Sequence, residues 1–153
     1  IIGLISAVFM VNYHNTNKRS ELNVEKQKLA SNIRLAQNYS LSSKTYNGVT
    51  TPSGGWGVHF SLASPSNYII FADINADKNY DAGEAIESKV LPDGVTINSL
   101  SPVGLVDIVF FPPDPITYIN GSDGLSAQII LRENINNSTA AVTVNFFGMI
   151  DAE

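Results

Sequence analysis

The chain opens on IIGLISAVFMV, eleven residues without a charge, and then turns polar as far as Leu41. No proline occurs before Pro52, so nothing in that polar run forbids a helix. From Leu22 the apolar residues Leu22, Leu29, Ile33 and Ala36 fall 7, 4 and 3 apart, which is one stripe of a helix surface. The spacing predicts one long helix over residues 1–41, apolar all round over 1–11 and amphipathic over 12–41. At 1.5 Å per residue it is roughly 60 Å long. A domain of this size is rarely that wide, so the first third is expected to leave the globular part and to be buried elsewhere. Eleven apolar residues fall short of the roughly 20 needed to cross a bilayer. The flanks do not read as a secretory signal, because no basic residue precedes the run and no small-residue cleavage site follows it. A buried core helix, or a chain that starts inside a longer apolar segment, are the remaining readings.

Residues 42–55 gather Ser, Thr, Gly and Pro and read as a loop. Beyond it the periodicity changes from 3.6 to 2. Trp56, Val58, Phe60 and Leu62 alternate with Gly57, His59 and Ser61, a strand with one buried face. Further strands are expected at 68–74, 84–91, 95–100 and 105–111. Pro112, Pro113 and Pro115 should end the last of these at a rigid, solvent-facing corner, since proline lacks the ladder's amide hydrogen. Residues 116–124 read as irregular or as an edge strand. LSAQIILRE at 125–133 and AAVTVNFFGMID at 140–151 form an expected hairpin, with Gly148 bulging the second strand. Consecutive strands with frequent turns favour antiparallel pairing. The expected fold is therefore α+β: a helix over 1–41 packed on the antiparallel sheet, or small β-sandwich, of a head over 42–153.

The composition narrows the function. A hydrophobic content of 44% over 153 residues supports one packed domain. There is no cysteine, which excludes disulfides, thiolate metal sites and thiol nucleophiles. A net charge of −5 gives no electrostatic help toward nucleic acid, which is not expected as a partner. The basic residues Lys18, Arg19, Lys26, Lys28 and Arg34 lie on the helix and suit a solvated or subunit-facing surface; Glu25 and Lys28 are i,i+3 neighbours.

IIGLISAV, the polar helix behind it with LASNIRLAQNYSLSS, and the later pair FADINADKNYDAGE and LPDGVTI together resemble the type IV pilin-like family. The likeness is to its pilins and type II secretion pseudopilins, and more narrowly to the minor-pseudopilin branch. The mature chains of that family begin with a phenylalanine and carry a glutamate shortly before an IIG-like segment. This chain has neither, and the alignment starts it about eleven residues into such a helix. The resemblance implies a long helix on a β-rich head, assembly with copies or homologous subunits through residues 1–36, residence in the inner membrane before assembly, and a cell-envelope filament afterwards.

Asp73, Asn75, Asp77, Asn79, Asp81 and Glu84 stand at offsets 1, 3, 5, 7, 9 and 12 of one loop. That is the oxygen spacing of an EF-hand calcium loop. Two features depart from it: Lys78 replaces the glycine of position six, and a strand enters the loop. The expectation is structural calcium, held by the side chains of Asp73, Asn75, Asp77 and Glu84, the backbone carbonyl of Asn79, and Asp81 directly or through water. The competing reading is a solvated acidic turn.

His14 and His59 are the only histidines, on the helix and on the polar face of a strand, with no nucleophile motif beside them. Glu84, Glu87 and Asp93 read as surface carboxylates. No catalytic residue and no organic cofactor is expected. Two functions fit: a structural subunit of an extracellular or periplasm-spanning filament, and a membrane-tethered surface module for which the helix is only an anchor.

Overall fold

The computed structural model describes the backbone of residues 2–48, 50–113 and 116–153, and within them the side chains from residue 18 onward. Expectations for the side chains of the apolar run 1–11 and of His14, and for Pro115, fall outside those residues.

One helix, α1 (Ile2–Leu41), precedes nine strands: β1 (Gly55–Ser61), β2 (Asn67–Asp73), β3 (Ala85–Val90), β4 (Val95–Ser101), β5 (Leu105–Phe111), β6 (Ile116–Ile119), β7 (Ala127–Glu133), β8 (Thr139–Val144) and β9 (Ile150–Ala152). They form two antiparallel sheets, β3-β2-β1-β5-β6 and β4-β7-β8-β9. Helix α1 packs on β1 and β5 of the first sheet and on β7, β8 and β9 of the second. The α+β pilin-like architecture expected from the sequence is thus present. Among the described residues no helix is long and apolar enough to cross a membrane.

The stripe predicted on α1 is the face that meets the head. Leu22, Leu29, Ile33 and Ala36 are buried, as are Trp56, Val58, Phe60, Ile108 and Phe110 of the first sheet and Leu131, Val142 and Val144 of the second. Each fully buried Leu, Ile or Phe contributes about 2–3 kcal/mol from removal of apolar surface from water. On the polar faces, Lys28 pairs with Glu25 at 2.5 Å and Lys18 with Glu21 at 2.7 Å, both i,i+3.

The helix stops by a defined device. Ser43 takes φ 50°, and the amides of Ser43 and Lys44 donate to the carbonyls of Ser40 (3.0 Å) and Tyr39 (2.9 Å). This is a Schellman end built on serine instead of glycine. One turn earlier the Ser40 hydroxyl donates to the Phe110 carbonyl and accepts the Trp56 amide at 3.0 Å. A single buried hydroxyl therefore fastens the helix end to β5 and β1.

Two strand readings need correction. Residues 140–151 are not one bulged strand: Asn145 to Met149 make a turn between β8 and β9, with Gly148 inside it at φ 75°. The reason is local. The Asn145 side-chain oxygen accepts the amides of Phe147 and Met149, both at 3.0 Å, and so competes with the ladder. Residues 116–119 are an edge strand paired to β5. As expected, β5 ends at Phe111 and Pro113 is exposed; the Ser101–Pro102 and Pro112–Pro113 bonds are cis.

Candidate functional site

Three surfaces carry unusual chemistry: the acidic loop, the β8–β9 turn and the outer side of α1. The acidic loop joins β2 to β3 and folds over the outer face of the first sheet. On that face Gly57 leaves the room that Phe71 fills: a Cβ at Gly57 would lie 2.7 Å from the Phe71 ring and 2.6 Å from the Ile108 carbonyl. The loop's Tyr80 then sets its ring 5.3 Å from Phe71 and 4.6 Å from His59.

Below Tyr80 lies a pair the sequence did not reveal. His59 on β1 and Asp107 on β5 are register partners, and His59 Nδ1 is 2.5 Å from Asp107 Oδ1. The second oxygen of Asp107 accepts the Tyr80 amide at 3.2 Å. His59 is largely covered and not on an open polar face, because the loop closes over it. The pair's printed partners are the Tyr80 ring and amide, so it acts as a clasp on the loop.

Asp73 is fully buried at the loop's entrance. It accepts the amides of Ala76 (2.7 Å) and Lys78 (3.0 Å), and its carboxylate lies so close to Gly54 that no Cβ fits there. Glu84 at the exit is buried too, which corrects its reading as a surface group; Glu87 and Asp93 are exposed as expected. Its two oxygens accept the amides of Ile74 (2.8 Å) and Asp81 (3.1 Å). Between them Ala76 and Lys78 adopt φ 65° and 67°, so position six does need the left-handed backbone although it is not glycine. Asn75, Asp77 and Asp81 are exposed, and the Asn75 amide group donates to Asp77 (3.1 Å) and to Asp81 (2.8 Å). Asn79 donates its side-chain amide to the Asp77 carbonyl at 3.0 Å.

Lys78 turns its ammonium group inward. It donates to the Gly54 carbonyl at 3.0 Å, lies 3.7 Å from the Asp73 carboxylate and sits 4.2 Å from the centre of the Phe111 ring. A cation thus stands beside the most buried carboxylate of the loop. Among the described residues no group of three or more His, Asp or Glu is arranged to hold a metal ion. The six oxygen-bearing residues are brought into one loop, but in two sets: Asp73 and Glu84 inside and committed to amides, Asn75, Asp77 and Asp81 outside with Asn79 beside them.

The β8–β9 turn has the opposite character. Phe146, Phe147 and Met149 are exposed, and the two rings lie 4.0 Å apart. The turn is tied to α1 by Gln37, which donates to the Gly148 carbonyl, and by Arg34, which donates to that of Ile150, both at 2.9 Å. On the side of α1 away from the head, Ser20, Asn23, Val24, Gln27, Lys28 and Ser31 line an open groove of about 520 Å³. Three large apolar residues within four positions were the available signal for the turn, and the strand reading absorbed them.

The family model described as type II transport protein GspH matches residues 25–148. No curated protein and no solved structure matches the chain. The match covers the docked half of α1 and nearly the whole head, and the helix on two antiparallel sheets agrees with the pilin-like fold. The chain therefore belongs to the GspH family, pseudopilin subunits of the type II secretion machinery of the cell envelope.

Proposed function

We propose that this chain is a non-catalytic subunit that enters a filament through its helix, with residues 1–36 packing against copies or homologous subunits. The observation that carries the reading is the division of α1. The helix runs for 40 residues, and its buried stripe against the head begins only at Leu22. The eleven apolar residues at the start of the sequence are then free to pack on other helices. At about 25 cal/mol per Å² such a run is worth tens of kcal/mol gross before ordering and association costs. Before assembly the same run would be held in the inner membrane; afterwards it would be the filament's core, with the acidic heads outward.

The test compares the intact chain with one lacking residues 1–11. The intact chain should sediment as filaments and the shortened one should stay a folded monomer. An intact chain that is monodisperse in plain buffer ends the assembly reading, and a chain that stays with membranes without forming filaments favours the tethered binding module.

Calcium at the acidic loop is the second part of the proposal. The donor set fits in part. Asn75, Asp77 and Asp81 have exposed oxygens near one another, and the carbonyl of Asn79 lies in the same turn. Asp73 and Glu84 could join only by giving up amide hydrogen bonds. Bound calcium would supply the positive charge that relieves repulsion between Asp77 and Asp81. Lys78 already supplies one such charge at Asp73, so affinity should be weak, about 10⁻⁵ to 10⁻³ M, as in extracellular modules. At millimolar calcium and a Kd near 10 μM, linkage would add about 2.7 kcal/mol to stability. Melting with calcium and with chelator checks this. A transition that does not move, or that moves equally in Asp77→Ala and Asp81→Ala, leaves an acidic turn with its own lysine.

A further inference from the structure

We infer that the turn Asn145–Met149 docks on a second copy of this chain, against the groove on the outer side of α1. The inference rests on the filament reading and adds which surfaces meet. Both halves of the contact are present on one chain. Phe146, Phe147 and Met149 are 42%, 66% and 67% exposed. Their backbone is nevertheless held in place: the Asn145 side chain accepts two amides, the Asn145 amide donates to the Met149 carbonyl at 3.1 Å, and Gln37 holds Gly148 from the helix. Large apolar side chains on a pre-ordered turn lose little freedom on binding. The groove between Ser20 and Ser31 offers Val24, half-exposed, among small uncharged neighbours with Lys28 at its edge.

Charge selects this pairing over others. Residues 1–41 hold five basic and two acidic side chains, and residues 42–153 hold four basic and twelve acidic ones. The helix is thus net positive and the head net negative. Two copies meeting head to head or helix to helix would oppose like charges, whereas a head on a helix joins opposite ones. Asp151 and Glu153, both exposed, place negative charge next to the turn, and Lys28 places positive charge at the groove. A contact between two different surfaces of identical copies does not close on itself, so it propagates.

The contact is also small. Three partly exposed side chains bury a few hundred Å² at most, against about 800 Å² per partner in a stable complex. It therefore does not join free subunits; it sets the stagger of subunits already held by their apolar helix starts. The turn is tied to α1 at Arg34 and Gln37, and the groove centres about ten residues earlier. Parallel neighbours in this contact are offset by about 15 Å along the helix axis.

The chain has no cysteine, so engineered ones report cleanly. In the intact chain, the double variant Phe147→Cys/Gln27→Cys should give an oxidised ladder of dimers, trimers and larger species. Mixing the two single variants should give dimers only, and each single variant alone should stay uncrosslinked. Phe146→Ser/Phe147→Ser should reduce the sedimented fraction several-fold while the melting curve stays in place. Sedimentation without a ladder overturns this contact and leaves the filament reading standing. Crosslinking of Phe147→Cys alone overturns it in favour of a symmetric head contact. Failure to sediment at all removes both.

Discussion

The acidic loop and the β8–β9 turn are built by one method to opposite ends. In each, side-chain oxygens accept the amides of the residues that follow: Asp73 takes those of Ala76 and Lys78, and Asn145 takes those of Phe147 and Met149. The loop then buries its carboxylates and lays Tyr80 on the sheet, while the turn leaves two phenylalanines and a methionine in solvent. The usual order of charge outside and grease inside is reversed in both places. Local hydrogen bonding decides that a turn exists, and what lies beneath it decides which side chains are covered. Under the loop are His59, Phe71 and Asp107, a floor that rewards closure. The turn is fastened to α1 through backbone carbonyls only, so its side chains remain free to meet another surface.

The contrast predicts unequal costs for the folded subunit. Asp73→Ala should be the most damaging change, about 3 kcal/mol by denaturant melts, because it leaves two amides without an acceptor and Lys78 beside no carboxylate. A loss below about 1 kcal/mol means that the loop is not held from inside. Gly54→Ala should cost about 2 kcal/mol, since its Cβ occupies the space of the Asp73 carboxylate. Combined with Asp73→Ala it should cost much less than it does alone, a coupling that a double-mutant cycle measures. Additive costs would show that Gly54 is constrained by something other than Asp73.

Glu133 extends the comparison to a third turn. It is fully buried at the end of β7. Burial opposes its charge, but the amides of Asn136, Ser138 and Ile135 outweigh this and hold the carboxyl at about 2, below its ordinary 4.5. A carboxylate with a folded pKa below its unfolded one contributes stability above the unfolded value and loses it as pH falls through the folded value. The wild type should therefore lose its advantage over Glu133→Gln between pH 4.5 and about 2. Parallel pH profiles for the two would show that the amides do not favour the charged form. The smallest effect belongs to the outward turn: Phe147→Ser should change monomer stability by less than about 0.5 kcal/mol. A larger loss would make Phe147 part of the core and not a free surface.

Much of the fold was legible in the sequence because each element announces itself locally. The stripe Leu22, Leu29, Ile33 and Ala36 and the alternation Trp56, Val58, Phe60 depend only on the period of a helix or a strand, and both mark buried faces. The failures have a common source. Reading 140–151 as one strand followed the apolar run and overlooked that Asn145 captures the amides two and four residues on. His59 looked solvated because its cover, Tyr80, comes from a loop 21 residues later, and its partner Asp107 is set beside it only by strand register. The oxygen spacing of residues 73–84 located the loop, but spacing does not tell which oxygens the backbone claims first. The inward turn of Lys78 depends on Gly54 and Phe111, neither of them near it in sequence.

The attachment of α1 to the last turn has a consequence for the order of events in the subunit's making. Arg34 and Gln37 reach partners 116 and 111 residues further along the chain, and α1 packs against β8 and β9. The segment synthesised first has a face that only the segment synthesised last can cover. Pairings so distant in sequence must wait for the intervening chain and slow the search for the native state. Until residues 139–152 arrive, the stripe from Leu29 to Ala36 has only part of its cover, and it is open to helpers or to wrong neighbours in that interval. Completion of the C-terminus is thus the step that closes the helix, and a subunit truncated there should be recognised by the cell as unfinished.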